Sequence, residues 1–173
     1  MKSKLAFAWG VGGVCALLGF AVYRLVPIAL EPLRGELGTF EYVAYAVSVL
    51  VMAYSEGYRA FQKGFAPRVV ARALHAAREP TALRVVLAPA FCMGLFDAKR
   101  RRLIVSWCTS LGVVCLVLLV SSLAQPWRGI VDAGVVAGLS WGLAAIVWFT
   151  LRGLVGHPPA VPSDVASGVA TAT

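Results

Sequence analysis

Charge, histidine and paired cysteine are all scarce in this chain. Of 173 residues, 14% are charged, 2 are histidine and 4 are cysteine. Soluble domains run near 25% charged and below 50% apolar. Here 60% of residues are apolar, more than a globule of this size can hide. A soluble enzyme, a disordered chain and a disulfide scaffold are thereby excluded. No two cysteines have the C-x-x-C spacing of a metal or redox site, and Cys15, Cys92, Cys108 and Cys115 all lie in apolar runs. They read as small apolar packing residues. No metal and no cofactor is expected.

Several catalytic signatures are also missing. There is no phosphate-binding Gly-rich loop with its lysine and no HExxH zinc motif. Gly138-Leu139-Ser140-Trp141-Gly142 matches G-x-S-x-G, but it lies inside an apolar run, and His75 and His157 lie in the polar stretches. A hydrolase needs that serine on a strand-to-helix turn beside a histidine. An enzyme is not the expected reading.

What is present is a set of long apolar runs. A spanning helix needs about 20 such residues. Leu5–Tyr23, Leu103–Ala124 and Ala133–Leu151 meet or nearly meet that length, and Tyr42–Ser55 makes a shorter fourth run between Glu41 and Glu56. Lys2 and Lys4 precede the first run, which is longer than a signal-peptide core and reads as a retained anchor. The fold expected is an all-α membrane protein with four transmembrane helices, at about 5–26, 40–63, 103–124 and 130–152. Together, residues 1–152 would form a single domain. Residues 153–173, rich in Pro, Ala, Ser, Thr and Val, are expected to be a flexible tail.

Val85–Phe96 is too short to cross, and basic residues flank it on both sides. It is read as interfacial or re-entrant. With a basic amphipathic segment at 67–79, it forms a helical hairpin between the second and third crossings, the second arm spanning about 82–96. Orientation follows from the basic residues. With four crossings and a cytoplasmic N-terminus, thirteen of the sixteen Lys and Arg fall on the cytoplasmic side, leaving Arg24, Arg34 and Arg128 outside. Both termini are then cytoplasmic. Compact loops and this bias suit a bacterial inner membrane.

Three constellations are candidate sites. Gly134, Gly138 and Gly142 recur every four residues, the spacing that lets helix backbones approach in lipid; Gly12 and Ala16 offer a matching pair on the first helix. Glu41, Tyr45, Ser48, Ser55 and Arg59 follow helical spacing and make a polar stripe on the second helix, with Glu56 three residues from Arg59 as an ion-pair partner at its inner end. Arg68, Arg72, Arg78, Arg84, Lys99, Arg100, Arg101 and Arg102 form a basic surface for anionic lipid or a partner. Nucleic acid is not expected, because no aromatic-interleaved groove accompanies the charge.

The functional reading is a non-catalytic accessory or scaffold component of a membrane, packing with lipid, with other membrane subunits or with copies of itself. The alternative is a small-molecule or lipid transporter component working through the polar stripe. A lipid-active enzyme ranks below both.

Overall fold

The computed structural model describes residues 2–165, and every regular element among them is helical. The first helix, α1 (Lys2–Leu30), runs through Pro27 and ends a turn beyond the expected boundary. A short 3₁₀ turn, Pro32–Arg34, leads to α2 (Thr39–Met52). From there the helix does not stop. A π-helical stretch, Ala53–Phe65, continues into α3 (Ala66–Arg78), with Pro67 in the first turn of α3. The segment read as a separate amphipathic helix is thus the continuation of the second one. Two short helices follow, α4 (Ala82–Val86) and α5 (Ala88–Met93). Then come α6 (Arg100–Ser121) and α7 (Trp127–Leu154).

Three stretches are long and apolar enough to cross a membrane: Ser3–Arg34, Arg100–Ser121 and Trp127–Leu154. The second helix is not among them, because its 14-residue apolar part runs into Glu56, Arg59 and Lys63 of the π-helix.

Glycine positions define the central seam. A Cβ built on Gly134 would lie 2.6 Å from Ser48 Oγ and 2.8 Å from Met52 Cγ. One on Gly138 would lie 3.0 Å from Glu56 Cβ, and one on Gly142 would lie 2.6 Å from the Phe61 ring. The second helix reciprocates at Gly57, where a Cβ would come 2.8 Å from that of Trp141. Further along, Gly153 lies against Val70 and Leu74. Rising numbers meet rising numbers, so the continuous helix from Thr39 to Arg78 runs parallel to α7. At the opposite end from Gly153, Gly129 of α7 abuts Pro32 and Ile28, so α1 runs antiparallel to both.

Gly12 and Ala16 take no part in this seam. Both are exposed, and nothing lies within 4 Å of a Cβ on Gly12. The packed face of α1 is instead set by Ala6, Gly10, Gly13 and Val14, which are buried. Gly10 and Gly13 receive Cys92, Ala88 and Pro89 of α5. The pairing with α5 selects that face, roughly one turn-step around from Gly12.

The core lies at the base of the bundle. Ala66, Val69, Ala73 and Ala76 of α3 meet Ala6, Val11 and Val14 of α1, Phe91 and Cys92 of α5, and Ala145 and Ile146 of α7. By contrast, the buried residues of α6 among the described ones are Ser106 and Val120, near its two ends.

Gly142→Leu should lower stability by about 1–3 kcal/mol, because the Phe61 ring fills the space its side chain would need. Gly12→Leu should shift it by less than about 0.5 kcal/mol. Thermal melting of the purified variants in one detergent measures both.

Candidate functional site

The densest polar cluster lies where α3, α5 and the loop before α6 converge. Arg72 falls between Val69 and Ala76 on the inward face of α3, and it is only 1% exposed. A buried guanidinium must have its donors satisfied. Its Nε donates to the Phe91 carbonyl at 2.5 Å, Nη2 to the carbonyls of Phe96 and Asp97 at 3.0 and 3.1 Å, and Nη1 to the Ser163 carbonyl at 2.8 Å. The guanidinium carbon stands 4.1 Å from the centre of the Phe91 ring. Burial pulls the Arg72 guanidinium down to about 10, still well above neutral, with Asp97 and Asp164 opposing the shift. The side chain is therefore a charged tie rod.

Arg84 completes the cluster from the other side. Its Nε and Nη2 both lie 2.7 Å from Asp97 Oδ2, and Nη1 lies 3.6 Å from Glu79 and 3.4 Å from His75. Glu79 also lies 3.6 Å from His75. Asp97 is thus gripped twice, by its carbonyl and by its carboxylate. That grip accompanies a backbone φ of 48°, a left-handed conformation that costs a non-glycine residue free energy. Gly94 ends α5 with φ 78°, a left-handed conformation that would strain a residue carrying a Cβ. A Cβ there would lie 3.0 Å from Ser106 Oγ, which donates to the Met93 carbonyl at 3.1 Å.

The stretch after α7 returns to this base. Besides the Ser163 carbonyl, the Asp164 carbonyl accepts the Lys99 N–H at 2.9 Å, and Val165 packs on the core. These contacts involve the first part of the segment expected to be flexible; 166–173 lie outside the described residues.

The basic surface is therefore smaller than the sequence suggests. Arg72 is not part of it, since its donors are spent on carbonyls inside the fold. Arg84 is committed to Asp97, His75 and Glu79. Arg68 and Arg102 are half-buried, and Arg102 Nε has no partner among the described residues. Arg78, Lys99, Arg100 and Arg101 remain exposed.

The polar stripe divides at Met52. Above it, helical spacing holds. Glu41 Oε2 accepts the Gly38 N–H at 2.8 Å, Tyr45 donates to the Ala29 carbonyl at 3.1 Å, and Ser48 faces Gly134. Below it, i→i+5 bonding brings residues four and five apart together. Tyr54 stacks on Tyr58 at 5.9 Å, Phe61 meets Phe65 at 5.5 Å, and Lys63 Nζ sits 4.4 Å from the Tyr58 ring centre. Ser55 bonds back to the Val51 carbonyl at 2.7 Å, and Gln62 Oε1 accepts from Trp141 at 2.7 Å. Among the described residues, Glu56 and Arg59 form no ion pair. The expected pairing assumed α-helical neighbours three apart; the wider π turn rotates the two onto different flanks, and both are exposed.

Cys92 is buried beside Arg72 and Gly10, and burial pushes its thiol up to about 12, with Arg72 pulling the other way. It should therefore stay protonated and unreactive toward N-ethylmaleimide at pH 8 until the protein is unfolded, as mass spectrometry of the alkylated chain would show. Arg72→Ala should cost about 3 kcal/mol or more, because the buried Phe91 carbonyl and three part-buried ones lose their donor. Arg78→Ala, at an exposed position, should cost less than about 0.5 kcal/mol; denaturation of both variants gives the comparison.

No family model matches the chain, and neither a curated protein nor a solved structure resembles it at a significant level.

Proposed function

We propose that this protein is a non-catalytic accessory or scaffold component of a bacterial-type inner membrane, crossing it four times with both termini cytoplasmic. The observation that carries this reading is the state of α6. From Leu111 to Leu119 every residue is exposed, so among the described residues that stretch is left largely uncovered by the rest of the chain. Its base is pinned by Ser106 and by Trp107, which donates to the Leu95 carbonyl at 3.0 Å, and its far end is anchored near the buried Val120. A rigid base that presents one apolar helix on all sides suits docking against helices of other membrane subunits, where van der Waals packing drives association.

The fourth crossing is supported by the parallel seam. If α7 spans, the residues from Ser48 to Phe61 lie at the same depth, because Gly134, Gly138 and Gly142 meet them one after another. The exposed Arg78, Lys99, Arg100 and Arg101 then sit at the cytoplasmic face, where each contributes about 1 kcal/mol toward an anionic leaflet. The alternative reading, a transporter component, draws on the exposed Glu56 and Arg59 at the depth of α7.

Reporter fusions test the topology. Fusions at residues 35 and 127 should report outside, and those at 75, 100 and 160 inside. An outside signal at 160 would mean an odd number of crossings. Photo-crosslinkers at Leu111 and Leu118 test the docking role. Adducts to other membrane proteins are expected, and adducts to lipid alone would overturn it.

A further inference from the structure

We infer that the exposed face of the π-helix is the interface between two copies of this chain, joined by reciprocal Glu56–Arg59 pairs. The inference rests on the four-crossing arrangement proposed above and supplies a partner for its second helix.

Depth comes first. Glu56 meets Gly138, six residues inside Asp132 on α7, which is about 9 Å below that end at 1.5 Å per residue. Phe61 meets Gly142, about 15 Å below it, near the middle of a hydrocarbon core of about 30 Å. Arg59 lies between these levels. Charged groups at such depth do not face lipid; they pair or line a polar space. Yet Glu56 and Arg59 are exposed, and neither forms an ion pair among the described residues. Lys63 is different, since its ammonium lies over Tyr58 and its long stem can reach toward the inner side.

The arrangement of the face names the occupant. Gly57 and Phe61 point at α7. With neighbours four and five apart, Ser55, Ala60 and Gly64 occupy the opposite side. Glu56 borders that strip through Ala60, and Arg59 borders it through Ser55 and Gly64. One flank is acidic, the other basic, and the strip between them is made of small residues that permit close approach. A two-fold axis along the membrane normal places two such helices parallel. Each chain then sets its acidic flank against the other's basic flank, so both pairs close at once. A second copy fits because the face is its own electrostatic complement, and the strong orientation bias keeps both copies the same way up.

The test uses the full chain in native membranes, with Cys15, Cys92, Cys108 and Cys115 replaced by alanine. Ala60→Cys should form a disulfide-linked dimer on mild copper-phenanthroline oxidation. Glu56→Arg and Arg59→Glu should each lower that yield by at least about tenfold, because like charges then face each other across the interface. The double swap E56R/R59E should restore it, which a folding defect in either single variant would not permit. Absence of the Ala60 dimer, its replacement by a crosslink to another protein, or failure of the double swap to restore it would each overturn the proposal. Crosslinks from Leu111 and Leu118 report on the α6 reading separately, so either idea can fail alone.

Discussion

Close approach of two helix backbones along one side of α7 fixes the level, relative to α7, of the residues on the second helix that face it. It is possible because Gly134, Gly138 and Gly142 carry no side chain where Ser48, Met52, Glu56 and Phe61 press in. In lipid there is no hydrophobic gain from bringing helices together, so such contact is the main attraction available. The seam ties the polar half of the second helix to the apolar middle of α7. Polar groups that a chain normally keeps at an interface are thereby held at the level of Trp141 and Gly142. The π-helical winding belongs to the same compromise. It lets Gly57 meet Trp141 and Phe61 meet Gly142 while turning Glu56 and Arg59 to opposite flanks.

The base of the bundle is organised differently, around charge rather than smallness. Arg72 binds four carbonyls from three places in the chain: α5, the loop at Phe96 and Asp97, and Ser163. Two arginines, one aromatic ring and one aspartate make a compact unit that fixes the loop leading into α6. The helix that departs from this unit is supported at its root and near Val120, and among the described residues it is exposed from Leu111 to Leu119.

Much of this plan is legible in the residues. The apolar runs and the glycine repeat on α7 are local patterns, and local patterns survive folding. The upper stripe, Glu41, Tyr45 and Ser48, keeps α-helical spacing, but its partners, the Gly38 N–H, the Ala29 carbonyl and Gly134, are not given by that spacing. What spacing does not reveal is the change of winding at Ala53, which accompanies the contacts of Gly57 and Phe61 with α7. Arg72 was hidden by its own charge. Its register with Val69 and Ala76 marks an inward position, yet an arginine among arginines reads as surface. The acceptors that make burial tolerable come from residues 19 to 91 positions away, and sequence spacing carries no trace of them. Gly12 and Ala16 show the converse: a small-residue pair that is exposed among the described residues, with nothing within 4 Å of a Cβ on Gly12.

The tie between Arg72 and Ser163 has a temporal side. The two residues are 91 positions apart. A ribosome delivers Arg72, then α4, α5, α6 and α7, before it delivers the acceptor for Nη1. Until then the partner that Nη1 has in the folded chain does not exist. Ser163 and Asp164 then add their ties at the junction that roots α6, where Ser106 and Trp107 already have their acceptors in the preceding residues Met93 and Leu95. The carbonyl that completes the set around Arg72 is thus among the last of the described residues to be made.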